Sequence, residues 1–174
     1  MRAPILTAAA LLAAIVSASC APAFNWREAP IAGTSLAALF PCKPEVASRT
    51  VNMGGLDVQL HMYHCETDGV TTAVGHAAVP APARVGPVLD QWRIATLAGL
   101  RPTRSSQTVW TMERATALPQ AQSVDAAGTD AKGAPLVLKG AWFARDGEVF
   151  AALLYGPAVS PEVAEAFFAG LRFR

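Results

Sequence analysis

From residue 33 onward the chain alternates apolar and polar positions with a period of two, the pattern of strands that bury one face. In "TSLAALF", Leu36, Ala38 and Phe40 fall on one side. "VASRTVNM" and "LDVQLHMYHC" flank Gly54-Gly55, which predicts a hairpin. Within the second of these strands Leu56, Val58, Leu60 and Met62 share a face; Asp57, Gln59, His61, Tyr63 and Cys65 share the other. A turn at Asp68-Gly69 brings the chain back as "VTTAVGHAAV".

The period then changes. In "VGPVLDQWRIATLAGLRP", Val88, Leu89, Trp92, Ala95, Thr96, Gly99 and Leu100 recur at helical spacing, giving one apolar stripe. Pro87 suits the first helical position, and Pro102 marks the stop. Strands resume at "QTVWTMER" and "QSVDAAGT", and "GTDAKG" reads as a turn. "APLVLKGAWFAR" and "EVFAALLYG" form a long hairpin around Asp146-Gly147. In "SPEVAEAFFAGLRFR", Ser160 is placed as N-cap, Pro161 as first helical residue, Glu162 on the helix dipole and Gly170 as the left-handed C-terminal residue. "LRFR" adds a short closing strand. The class is α+β: an antiparallel sheet of hairpins, with a mid-chain amphipathic helix and a C-terminal helix packed on it. Residues 33–174 form the domain and residues 20–32 a linker.

The first residues, "MRAPILTAAALLAAIVSASC", have the order of a secretory signal: Arg2, an apolar run, then small residues. The apolar stretch over residues 5–16 is shorter than the roughly 20 residues a membrane span needs. Residues 1–19 are therefore expected to be the signal peptide. Two processing routes stay open. "SASC" resembles a bacterial lipobox, with Cys20 as the lipidated first residue, although Ser17 stands where Leu is usual. Alternatively, cleavage after Ala21-Pro22-Ala23 discards Cys20. The first route gives a lipid-anchored protein facing the periplasm, the second a soluble periplasmic one.

Composition narrows the function. Hydrophobic residues make up 52% and charged residues 16% of the 174, too apolar for a disordered chain. Without Arg2, 13 basic residues balance 13 acidic ones, which leaves no footprint for nucleic acid. Arg93, Arg101, Arg104 and Arg114 read as a solvated face.

Cys20, Cys42 and Cys65 are the three cysteines. Both processing routes take Cys20 out of the thiol count, leaving a pair in an oxidising compartment, so Cys42 is expected to bond Cys65. Pro41 and Pro44 hold one end of the bridge rigid. No C-x-x-C suggests redox chemistry.

"LFPCKPEV" resembles the F-P-G-x-P opening of small exported bacterial domains with the PsbP-like fold, named after an extrinsic photosystem subunit. The resemblance runs from about Gly33 to the end and includes the hairpin around "ARDGEVFAALLY" and the terminal "F-x-x-L-x-F". Cys42 replaces the usual Gly. The resemblance implies a fold and no particular activity.

"HMYHC" carries the residue types of a metal site. On a strand His61 and His64 point to opposite faces, and His61 and Cys65 lie about 13 Å apart. His76 is a possible cross-strand partner for His61. We expect no metal and no cofactor. "GTSLA" around Ser35 lacks the second glycine and the helix of a nucleophile elbow. "GTDAKG" is followed by Ala134-Pro135 rather than the residues that bind phosphate and magnesium. Trp92, Trp110 and Trp142 fit core or groove positions, since no basic stripe interleaves them. The expectation is a non-enzymatic envelope protein that binds a protein partner or supports an assembly. The alternative is a carrier of a small ligand or metal on the sheet face near His61 and His76.

Overall fold

Three two-residue turns set the register of the main sheet. The computed structural model describes residues 24–174. In it Gly54-Gly55 (φ 61° and 82°), Asp68-Gly69 (53° and 71°) and Asp146-Gly147 (51° and 82°) all take left-handed backbone, which matches the twist of the strands they join. The strands are β1 (Arg27–Pro30), β2 (Leu36–Phe40), β3 (Glu45–Met53), β4 (Leu56–Thr67), β5 (Val70–Ala78), β6 (Pro102–Val109), β7 (Gln122–Thr129), β8 (Pro135–Arg145), β9 (Glu148–Gly156) and β10 (Arg172–Phe173). The helices are α1 (Val85–Leu100) and α2 (Pro161–Ala169). Seven strands form one antiparallel sheet in the order β3-β4-β5-β9-β8-β7-β6, and three form a second in the order β1-β2-β10. The α+β class expected from the pattern is the observed one.

Each face of the large sheet has its own core. On one, Val88, Leu89 and Trp92 of α1 pack on Val58, Leu60, Trp142 and Leu153. On the other, the small sheet and α2 bring Phe40 and Phe167 onto Tyr63, Phe143, Phe150 and Leu154. The two apolar sets on β4 thus serve different layers, which is why the strand alternates without a consistently polar face. Trp92 reaches the sheet because position 75 is Gly: a Cβ there would lie 2.5 Å from Met62 Sδ and 2.8 Å from the Trp92 ring. Where the covering layers stop, cross-strand polar pairs take over, as between Thr50 and Gln59 (3.0 Å) and Asn52 and Asp57 (2.8 Å).

Four expectations change. The linker over residues 20–32 holds structure in its described part: β1 pairs with β2, and Ile31 is completely buried. A four-residue strand carries too little alternation to announce itself; its partner, not its sequence, makes it a strand. Pro102 begins β6 as well as following α1, since an edge strand does not need the missing N–H. Trp110 to Arg114 then leave the strand expected over "QTVWTMER". The mid-chain helix starts at Val85, two residues ahead of Pro87, which still sits in the first turn where its N–H has no helical partner. Gly170 is right-handed (φ −79°); Arg101, after α1, is the left-handed helix end (φ 49°). Ser160 does cap α2, accepting from Val163 N at 3.2 Å, and β10 is the short closing strand on β2.

Among the described residues no helix is long and apolar enough to cross a membrane. The signal peptide over residues 1–19 and the lipidation expected at Cys20 lie outside the described residues.

Candidate functional site

Cys42, just past β2, bonds Cys65 on β4, with the Cα atoms 6.0 Å apart. Thr67 Oγ1 donates to Cys42 Sγ at 2.8 Å. The bridge ties the small sheet to the large one, two elements not joined to each other by a strand ladder. Cys65 is 7% exposed, which suits a staple rather than redox exchange.

The register of β4 and β5 places His61 directly opposite His76. The rings stack with centroids 4.9 Å apart and planes 18° from parallel. The same row continues across the sheet to Phe150 on β9 (6.1 Å from His76) and Phe143 on β8 (5.4 Å further). Trp110 then stacks on Phe143 at 6.4 Å. At the other end Ser48 on β3 lies 2.7 Å from His61 Nδ1. His76 is 7% exposed, and its Nδ1 has no partner among the described residues. Burial, with the neighbouring His61 adding to it, lowers the His76 pKa to about 4. His76 is therefore neutral at pH 7 and contributes packing rather than charge.

His64, as alternation requires, faces the other way, beside Met62, Ala73 and Tyr155. Among the described residues no group of three or more His, Cys, Asp or Glu converges as a metal site. The imidazole planes of His61 and His76 are close to parallel, so their in-plane lone pairs run side by side instead of meeting at one ion. Ser48 and His61 form a contact that sequence spacing does not suggest. Among the described residues no carboxylate orients His61, so the pair lacks the third group that activates a serine.

A cleft of about 620 Å³ opens beside Phe150, in the middle of this row. Phe150 lines it together with Thr34 and Ser35 from the β1–β2 turn, Pro80 after β5, and Arg145 and Glu148 from the β8–β9 hairpin. Arg145 pairs with Asp146 at 2.9 Å and lays its guanidinium 4.9 Å from the centre of the Phe173 ring. Burial, and then Asp146, raise the Glu148 carboxyl above its ordinary pKa. Sequence reading treats this hairpin as a turn and misses Arg145 and Glu148. The charged residues flanking Asp146-Gly147 are the available signal.

The four arginines read as a solvated face do not form one patch. Arg93 contacts Asp90 and Gln107, each at 2.6 Å. Arg101, Arg104 and Arg114 are exposed, on the helix end, β6 and the following turn. Trp92 and Trp142 are buried, and Trp110 is half-buried.

The open ends of the large sheet stand out more. β6 is exposed at all eight positions, and Val109 at its end is 67% exposed. Trp110 N donates to Ala121 O at 3.0 Å. By the alternation of an antiparallel ladder, the backbone groups of Ser105, Gln107 and Val109 then face outward. Comparison with known proteins found no family model that matches this chain and no curated protein similar to it.

Proposed function

We propose that this chain is a non-enzymatic binding domain of the bacterial cell envelope, lipid-anchored through Cys20 or soluble in the periplasm, whose partner is another envelope protein. The observation that carries the reading is β6, a strand exposed at every position and forming an open end of the sheet. Such an edge adds an extended segment by main-chain hydrogen bonds, with alternate side chains giving selectivity. Thr103, Ser105, Ser106 and Thr108 keep it polar enough to stay soluble without a partner. The signal-like start and the disulfide support export, and the "LFPCKPEV" opening supports a PsbP-like arrangement of the same α+β elements. In cells making the protein, a photo-crosslinking residue at Val109 should capture one envelope protein. Ser105→Pro, which removes an outward N–H, should abolish the adduct. Capture that is absent, or unchanged in the proline variant, would count against the reading.

The cleft beside Phe150 favours a second reading, carriage of a small ligand next to the row that holds His61 and His76. It brings an apolar floor together with Arg145 and Glu148, the mix of surfaces that ligand sites use. Mass spectrometry of the natively purified protein would detect such a ligand directly.

A further inference from the structure

We propose that the protein also pairs with a second copy of itself through β3, the opposite end of the large sheet, the two strands running antiparallel about a twofold axis at Ala47.

β3 is exposed at each position from Glu45 to Thr50. Its nine pairs with β4 run in unbroken register, so no bulge interrupts the edge. Natural edges are usually blunted by a proline, a bulge or an inward charge. The Gly54-Gly55 turn makes Met53 and Leu56 a hydrogen-bonded pair, so alternation turns the backbone groups of Val46, Ser48 and Thr50 outward. An antiparallel copy centred on Ala47 sets Val46 opposite Ser48 of the second copy, both with outward groups, so their hydrogen bonds are satisfied.

Charge selects this register. Glu45 falls opposite Arg49 of the second copy, and the twofold axis repeats the pair. Both side chains lie on the α1 side of the sheet, flanking the small Ala47, at positions where Cα atoms approach to about 4.5 Å. Among the described residues neither Glu45 nor Arg49 takes part in an ion pair within its own chain. The same pairing covers Val46, otherwise 57% exposed. Centring on Arg49 would oppose two arginines, and centring on Ser48 would leave Glu45 against Val51. β6 offers no such complement: it carries a register shift before Arg104 and has Arg104 as its one charge.

The test is sedimentation of the purified protein across concentration, with far-UV circular dichroism confirming that each variant folds. The protein should show a monomer–dimer equilibrium. Glu45→Arg and Arg49→Glu should each weaken it at least tenfold, because each places like charges opposite one another. Mixing the two variants should restore a one-to-one heterodimer. There the arginine introduced in one chain meets the glutamate introduced in the other, and the unchanged Arg49 of the first meets the unchanged Glu45 of the second. A protein that stays monomeric at every concentration, a dimer indifferent to both reversals, or two monomeric variants that fail to combine would each overturn the proposal.

Discussion

Gly170 and Leu39 stand so close that a Cβ on the glycine would lie 2.3 Å from the Leu39 Cβ. The glycine after α2 is therefore there for the approach of the helix end to β2, not for a left-handed turn. Gly170→Ala should lower stability by about 1–3 kcal/mol, the usual cost of overpacking. Gly99 supplies the contrast: it lies in the exposed part of α1 with nothing within 4 Å of an added Cβ. Gly99→Ala should raise stability by about 0.5–1 kcal/mol. Urea denaturation of both variants checks the pair, and equal effects would refute the packing argument.

Cys42→Ser should cost about 2–5 kcal/mol, the range for losing a native bridge from a small exported domain. The bridge closes a loop between residues 23 apart in sequence, so most of the loss comes from freeing the unfolded chain. Thiol labelling of the unfolded, non-reduced protein should leave Cys42 and Cys65 unmodified. Reaction at both would disprove the bond.

Stability should fall as the solution is acidified from about pH 6.5 to about pH 4. Folded His76 takes its proton only near pH 4, whereas the unfolded side chain takes it at the ordinary value of 6.5. Within that window the unfolded state binds more protons, so stability is lost as pH drops and levels off below the folded value. The loss is on the order of 3 kcal/mol. Glu148 acts in the opposite sense at the acid end, because its folded carboxyl is raised. His76→Phe keeps the stack with Phe150 and should flatten the slope between pH 4 and 6.5. Parallel curves for the two proteins would exclude His76 as its source.

Zinc or copper should not bind tightly at one-to-one stoichiometry, because the stacked imidazoles of His61 and His76 aim their lone pairs in parallel. Calorimetric titration decides this. A tight transition lost in His61→Ala and His76→Ala would show that the rings can rotate to share an ion.

Periodicity and turn chemistry by themselves determined the hairpins and both helices, because a repeat of two or of 3.6 sustained over eight or more residues and paired left-handed turns are local properties. Ser160 was legible as a cap for the same reason: its partner, Val163 N, is three residues away. Cysteine parity and the expected compartment were enough to pair Cys42 with Cys65 without any geometry. What tertiary structure decided were the contacts between residues distant in sequence. β1 and Ile31 looked like linker because their strand partner is β2, and Gly170 looked like a turn residue because Leu39 is 131 positions earlier. The row from His61 through His76 and Phe150 to Phe143 and Trp110 needs three strand registers and the turn after β6 at once. Alternation said only that His61 and His64 part company. Which strands stand at the ends of the sheet, and so which residues present open backbone, follows from the order β3-β4-β5-β9-β8-β7-β6. That order is set by how the two cores on opposite faces are jointly buried, a property of the whole chain that no local pattern contains.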